Sequence, residues 1–143
     1  MQRPVPREFP QLRVRVDLGP GCSVGPGKVA LLEAIERDGS LSIAARSIGM
    51  SYRRAWNLVA DLNGSFAKPV VATAVGGSRG GGARVTEQGR ALIAAFRRLE
   101  RGALRLATRQ LTGLKVKAPA IGRNTTRRRV SAPLRGAGTD RSR

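Results

Sequence analysis

Few side chains in this sequence could carry catalysis or hold a metal ion. Among 143 residues there is no His and one Cys, which excludes Ser-His-Asp and Cys-His catalytic sets and a structural zinc site within the chain. The nine carboxylates are scattered, and the closest group (Glu33, Glu36 and Asp38) falls on a predicted solvated helix. These residue types predict that the protein is not an enzyme and uses neither a metal nor a cofactor.

The basic side chains point instead to binding. The sequence has 27 Lys and Arg against 9 Asp and Glu, which gives a net charge of +18 and an isoelectric point near 12. This balance is typical of proteins that bind nucleic acid, because Lys and Arg neutralise phosphates. A ribosome-associated protein, or a basic tail that only aids solubility, is compatible with the same balance.

The side chains best suited to contact a nucleic acid follow residue 50. Ser51 is a good helix N-cap, and the residues after it include Tyr52, Arg53 and Arg54, with Asn57 one turn later. A helix that enters the major groove needs such a basic, hydrogen-bonding N-terminal end, where its side chains meet base edges. An ordinary surface face that carries Arg by chance fits the same pattern.

An apolar stripe predicts that this segment is a helix from Ser51 to about Phe66. Its members recur at the i, i+3, i+4, i+7 and i+11 positions of one helix face: Ala55, Leu58, Val59, Leu62 and Phe66. At 100° per residue, Arg53 and Asn57 fall on the opposite side. Trp56 lies between the two faces and is predicted to pack rather than to stack on a base.

Two further helices are predicted before this one. The first runs from Lys28 to Asp38 and ends at Gly39, and the second spans Ser42 to Ile48. The apolar side of the first helix carries Leu31, Leu32 and Ile35. A turn at Gly49-Met50 then leads into the third helix, and two helices joined by a tight Gly-containing turn form a helix-turn-helix.

One strand is predicted before the helices. The stretch from Leu12 to Leu18 alternates apolar and charged residues, which is the period of a half-buried strand. The Gly- and Pro-rich stretch that follows, from Gly19 to Gly27, is predicted to be a loop.

A glycine-rich hairpin is predicted after the third helix. Its strands are Val70–Val75 and Ala83–Val85, and its tip contains Ser78 and Arg79. Such a hairpin after a helix-turn-helix is a wing, in which glycines let the backbone approach phosphates. Arg79 and Arg84 can neutralise phosphates or enter the minor groove. A flexible loop without a partner is the plainer alternative.

A long helix with a heptad-like seam is predicted over residues 86–111. The seam has 4-3-4-3 spacing and consists of Leu92, Phe96, Leu99, Ala103 and Leu106. Its first part must pack on the domain, whereas the part beyond Leu99 would be exposed in a monomer. This pattern predicts a homodimer, which suits a palindromic binding site. A helix that folds back on its own domain is the alternative.

Two motifs in combination resemble the ModE family of molybdate-responsive transcription regulators. They are the Gly-Met-Ser-Tyr-Arg-Arg-Ala-Trp run at residues 49–56 and the Gly-Gly-Gly-Ala-Arg-Val-Thr run at residues 80–86. The likeness is to the N-terminal DNA-binding domain of that family, and it implies a winged helix-turn-helix that dimerises through its last helix. The recognition helix would start at Ser51.

The resemblance also bears on the effector. Family members bind molybdate in C-terminal β-barrel domains, whereas here an Arg-rich tail follows the long helix. The likeness therefore implies one of two alternatives: a partner protein carries the effector site, or the protein has no effector.

The sequence thus predicts a fold that is mainly α with a small β-hairpin. We expect a flexible N-terminus (residues 1–10), a winged helix-turn-helix domain (11–112) and a disordered basic tail (113–143). No apolar run is long enough to span a membrane. The predicted contacts with DNA are Ser51, Tyr52, Arg53, Arg54, Asn57, Ser78, Arg79 and Arg84.

The predicted function is that of a dimeric, sequence-specific transcription regulator that binds double-stranded DNA in the cytoplasm and is associated with the nucleoid. By resemblance, its target genes are related to molybdenum. The alternative is a non-specific architectural nucleic-acid-binding protein, in which charge alone gives the affinity. The small number of aromatic residues argues against single strands as the partner.

Overall fold

A computed structural model describes residues 10–74 and 82–114 of the chain. Its elements, in chain order, are β1 (Val16–Gly19), β2 (Cys22–Val24), α1 (Pro26–Asp38), α2 (Leu41–Ser47), α3 (Tyr52–Ser65), β3 (Val71–Thr73), β4 (Ala83–Val85) and α4 (Glu87–Leu111). The strands form two antiparallel hairpins, β1–β2 and β3–β4. Three helices followed by a hairpin and a long helix make a mainly α, winged-helix-like fold, so the predicted fold class is confirmed.

The core forms around α1, which packs against α2, α3, β4 and α4. Leu31, Leu32 and Ile35 of α1 are fully buried, as their spacing predicts. The largest side chains buried with them come from α3, from the segment around β3, from β4 and from α4: Leu62, Val70, Val71, Val85 and Phe96. Helix-turn-helix, wing and long helix therefore share one apolar core.

The ends of the helices follow from single residues. Gly39 ends α1 in the left-handed region, with φ +66°, and its N–H donates to the carbonyl of Ile35 at 2.9 Å. Ser40 caps α2 by accepting a hydrogen bond from the Ile43 N–H at 3.4 Å. Gly49 has φ +69° and makes the turn between α2 and α3. The predicted helix-turn-helix is present, and the second helix begins one residue earlier than expected.

The prediction for the N-terminal region is partly wrong. Instead of one strand over Leu12–Leu18 and then a loop, the chain forms the hairpin β1–β2, in which Val16 lies opposite Val24. The reversal occurs next to Gly21, whose φ of +73° suits glycine. The first strand is short and mostly exposed, because only the second strand reaches the core, through Val24.

An arginine of α4 binds two carboxylates and ties this helix to α1. The Arg97 guanidinium donates to both oxygens of Glu33, with Nε–Oε1 at 2.8 Å and Nη2–Oε2 at 2.6 Å, and to Glu100 at 2.5 Å. The hydrogen bonds from Arg97 hold the pKa of Glu33 below its ordinary value, and the bond to Glu33 raises the pKa of Arg97. A second pair, Arg90 with Glu36 at 3.3 Å, links the same two helices. All three members of the carboxylate group singled out in the sequence are thus ion-pair partners, because Asp38 pairs with Arg37 at 2.8 Å.

The start of α4 is held against the base of the wing. Thr86 caps the helix by accepting a hydrogen bond from the Gly89 N–H at 3.1 Å, and its own hydroxyl donates to the carbonyl of Pro69 at 2.7 Å. The Thr86 N–H also donates to the carbonyl of Val70 at 3.0 Å. Helix and strand approach closely here because residue 89 has no side chain: a Cβ would overlap the Val70 carbonyl and lie 2.6 Å from Val85 Cγ1.

The amide of Asn63 fixes the base of the wing to α3. Its Oδ1 accepts hydrogen bonds from the N–H groups of Val70 and Val71 at 2.8 and 3.1 Å. Its Nδ2 donates to the carbonyl of Val71 at 2.9 Å, so both backbone groups of Val71 are satisfied. One side chain therefore sets where β3 begins relative to the third helix.

We expect Gly89→Ala to destabilise the domain by about 1–3 kcal/mol, because the added methyl group must displace backbone at the junction of wing and α4. Thermal unfolding followed by circular dichroism measures the change. Gly64→Ala is the matched control, since a Cβ at this helical position meets nothing within 4 Å and should stabilise by up to about 1 kcal/mol. Equal effects of the two substitutions would contradict the close approach at Gly89.

We expect Asn63→Ala to lower the free energy of unfolding by about 1–3 kcal/mol, because it leaves partly buried backbone groups of Val70 and Val71 without partners. Urea unfolding measures this difference. The control is Asn57→Ala on the exposed face of the same helix, which should change stability by less than about 0.5 kcal/mol. A loss of similar size in both variants would show that the clamp contributes nothing of its own.

Candidate nucleic-acid interface

The N-terminal turn of α3 presents the predicted contact residues to solvent. Ser51 precedes the helix in an extended conformation, and its hydroxyl accepts a hydrogen bond from the Arg54 N–H at 3.3 Å. Tyr52, Arg53, Arg54 and the following Asn57 are all exposed. Five of the eight predicted contacts thus lie together at one end of one helix.

The buried face of α3 is what turns these side chains outward. Ala55, Val59 and Leu62 are buried in the core, while Leu58 and Phe66 are partly buried against it. Arg53 and Asn57 lie on the other side of the helix, as the apolar stripe predicts. Their exposure is confirmed, and their contact with DNA stays a prediction.

The wing contributes Arg84 from β4. This side chain is exposed, whereas its neighbours Ala83 and Val85 are buried, which is the alternation of a strand with one face on the core. The strand β3 is shorter than the predicted Val70–Val75. Ser78 and Arg79, the predicted contacts at the wing tip, lie outside the described residues.

Some arginines form ion pairs with carboxylates and others do not. Within the part of the chain that the structure describes, four arginines form ion pairs with carboxylates: Arg15, Arg37, Arg90 and Arg97. Arg53, Arg54 and Arg84 form no ion pair with any residue of this part. The positive charges at the start of α3 and on the wing therefore remain available to phosphates or base edges.

The prediction that Trp56 is a packing residue is wrong, because it is not among the side chains packed against the core. Its side chain is 49% exposed, and Tyr52, one turn earlier, is 55% exposed. Together with Arg53, the two aromatic residues line a shallow surface depression of about 260 Å³. The stripe of α3 is filled by smaller side chains, so Trp56 at its edge stays on the surface.

The seam of α4 changes character along the helix. Phe96 is buried and Leu92 packs against the core, as expected for the first part. Leu99 and Leu106 are 44% and 51% exposed, and Ala103 between them is half-buried. An apolar surface thus continues along α4 beyond the point where the domain covers it.

Two sets of contacts that position the site cannot be predicted from the apolar pattern alone. The first involves Asn63, which fixes the wing. It lies next to Leu62 at the edge of the apolar stripe, and a polar residue at that position is the only sign in the sequence of its hydrogen bonds. The ion pairs of Glu33 and Glu36 with α4 join residues more than 50 positions apart, which spacing along the chain does not reveal.

Two kinds of feature are absent from residues 10–74 and 82–114. No helix there is long and apolar enough to cross a bilayer. In the same ranges, no three His, Cys, Asp or Glu residues are grouped so that they could share a metal ion.

Comparison with known proteins gives several relatives. The chain is 51% identical over 102 residues to the molybdenum-pterin-binding protein MopA of Rhodobacter capsulatus, a match that covers 71% of this chain and 38% of that protein. It is 38% identical over 88 residues to the molybdenum transport protein ModE of Azotobacter vinelandii, which covers 62% of this chain and 33% of the relative. No protein-family model matches the chain.

A third relative is the DNA-binding transcriptional dual regulator ModE of Escherichia coli, 37% identical over 71 residues, with 50% of this chain and 27% of that protein covered. The chain thus spans about a third of the length of the relatives it matches. The resemblance drawn from the two sequence motifs is confirmed: over 71 to 102 residues, the chain is similar to proteins named ModE and MopA.

Proposed function

We propose that the protein is a sequence-specific transcription regulator that binds double-stranded DNA. The observation that carries this proposal is the start of α3, where Arg53 and Asn57 project from a helix whose opposite face is locked in the core. Such a helix end can enter the major groove, where Arg and Asn side chains form paired hydrogen bonds with base edges. The printed name of the Escherichia coli relative, a DNA-binding regulator, supports the same function.

The wing supplies contacts that carry no sequence information. Arg84 is exposed on the strand that follows the wing tip, and it would bind phosphate beside the groove that α3 occupies. If a dimer neutralises about 6–10 phosphates, its affinity falls about 10³–10⁵-fold between 50 and 200 mM salt. Bound to DNA, the protein would act in the cytoplasm, at the nucleoid.

We further propose that two copies pair through the second half of α4. Leu99 and Leu106 continue the seam that Leu92 and Phe96 begin, and both are about half-exposed in the single chain. Pairing would remove this apolar surface from water, and two-fold symmetry would present two recognition helices to a palindromic site.

The proposed target genes are related to molybdenum. The names of three relatives, MopA and MopB of Rhodobacter capsulatus and ModE of Azotobacter vinelandii, all refer to molybdenum and support this assignment. A partner protein that carries an effector site for molybdate is part of this proposal.

The alternative function is that of a non-specific architectural protein. The net charge of +18 favours it, since charge alone supports binding to any duplex. Selection from a random duplex library with the wild-type protein separates the two functions. A recurring sequence supports the regulator, and an enriched pool without one supports the architectural protein.

We expect Arg53→Ala to weaken binding to the selected duplex about 5- to 150-fold, because a bidentate contact with a base edge is worth about 1–3 kcal/mol. Binding to a scrambled duplex of the same length should change much less. Fluorescence anisotropy titrations on both duplexes measure the difference.

The matched variant is Arg84→Ala, which removes the same charge from the wing. It should weaken binding to both duplexes by a similar factor, as expected for a phosphate contact. Equal losses on both duplexes with Arg53→Ala would place Arg53 at a phosphate and remove the basis for sequence reading by α3.

We expect the double substitution Leu99→Glu, Leu106→Glu to convert a dimer into a monomer. Burial of a Leu side chain is worth about 1.5–3 kcal/mol, so the dissociation constant should rise by more than about 100-fold. Sedimentation equilibrium measures the mass in solution. Arg105→Glu, on the side of α4 away from the seam, is the control and should leave the dimer intact. A monomeric wild-type protein, or a dimeric double variant, would refute pairing through this seam.

A further inference from the structure

The exposed aromatic pair on α3 has no evident role in the fold. Tyr52 and Trp56 are the only Tyr and the only Trp of the chain, and both lie about half in solvent. Neither belongs to the core or to the side chains packed against it. Neither side chain forms a hydrogen bond with any residue of the ranges 10–74 and 82–114. An exposed apolar surface of this kind, next to a predicted binding residue, is a candidate contact surface for a ligand.

The position of the pair restricts which part of DNA it can meet. Tyr52 and Trp56 are one helical turn apart on the surface of α3, and together with Arg53 they line the same shallow depression. A helix end that brings Arg53 to the base edges brings these aromatic rings to the neighbouring edges as well. Phosphates lie at the rims of the groove and offer no apolar surface.

One group on the floor of the major groove is apolar, the C5-methyl group of thymine. The rings of Tyr52 and Trp56 are suited to cover such a group, because contact with it removes apolar area from water on both sides. Stacking on a base would require that base to leave the duplex, which a ring carried on the face of a groove-bound helix does not bring about.

We propose that Tyr52 and Trp56 form an apolar contact for a thymine methyl group in the major groove, beside the base pair that Arg53 contacts. The pair thereby adds a preference for thymine to the hydrogen-bonding preference of Arg53 and Asn57. This inference rests on the proposed function. It gives a specificity role to Tyr52, a predicted DNA contact, and to Trp56, which the sequence predicts to be a packing residue.

The test uses the full chain and the duplex selected from the random library. Each thymidine in turn is replaced by deoxyuridine, which removes only the methyl group. We expect a three- to fivefold loss of affinity at one or two positions, since burying one carbon of this kind corresponds to about a fourfold change. In the variant Tyr52→Ala, Trp56→Ala, the thymine and uracil duplexes should bind equally.

Two controls accompany these titrations. The aromatic variant should melt close to the wild type, because both side chains are largely in solvent. Arg53→Ala should bind more weakly but keep the wild-type ratio between thymine and uracil duplexes, which separates methyl contact from hydrogen bonding.

The outcomes distinguish this inference from the function on which it rests. Suppose that Arg53→Ala no longer distinguishes the selected duplex from the scrambled one, and that replacing thymine by uracil changes the affinity of the wild type at no position. The proposed function then stands, and the methyl contact is wrong. If the uracil effect persists in the aromatic variant, the methyl group is sensed elsewhere, or through DNA shape, and the inference also fails. If selection yields no recurring sequence, both fail together.

Fluorescence provides a second measurement, because Trp56 is the single tryptophan. Its emission should shift to shorter wavelength or be quenched when the selected duplex binds. Unchanged emission at saturation would overturn the proposal. So would a shift on dilution of the protein without DNA, because that result would place a second copy of the chain over the aromatic pair.

Discussion

The burial of one face of α3 is the constraint on which the interface depends. Ala55, Val59 and Leu62 are buried in the core of the domain, where α3 packs against α1, α2 and β2, so the helix cannot rotate about its axis without exposing them. A rotation of 100°, one residue, in one sense would bring Arg54 and Asp61 toward the core, where unpaired charge is costly. The hydrophobic effect thus sets the direction of side chains that themselves contribute nothing to stability.

The other elements are located relative to that helix by polar contacts at its edges. Asn63 fixes the root of the wing, and Thr86 joins the wing to α4. Arg97 joins α4 to α1 through a bidentate contact with Glu33. Surface ion pairs add little stability on average, but a paired guanidinium of this geometry selects one orientation of a helix. Apolar burial holds the elements together, and these few hydrogen bonds determine how they are aligned.

The sequence specified what depends on local periodicity and on caps. The three helices of the helix-turn-helix, the caps at Ser51 and Thr86 and the exposure of Arg53 follow from apolar spacing and residue type. The strand β2 (Cys22–Val24), and with it the first hairpin, could not be predicted, because three residues show no periodicity and the turn depends on the backbone at Gly21. The position of Trp56 was also misjudged, since a residue between two faces is decided by how much room the core leaves.

One continuous helix, α4, packs on the domain at its start and carries the proposed dimer seam in its second half. Its 25 residues span about 37 Å, and only two residues separate Phe96, inside the domain, from Leu99 on the open seam. In a dimer of the proposed kind, α4 would therefore determine both the distance between the two DNA-binding domains and the rotation of one relative to the other. An insertion of one residue between these two positions would turn the seam by about 100° relative to the domain. In such a dimer, the spacing between half-sites on the DNA would be set by residues far from those that contact the DNA.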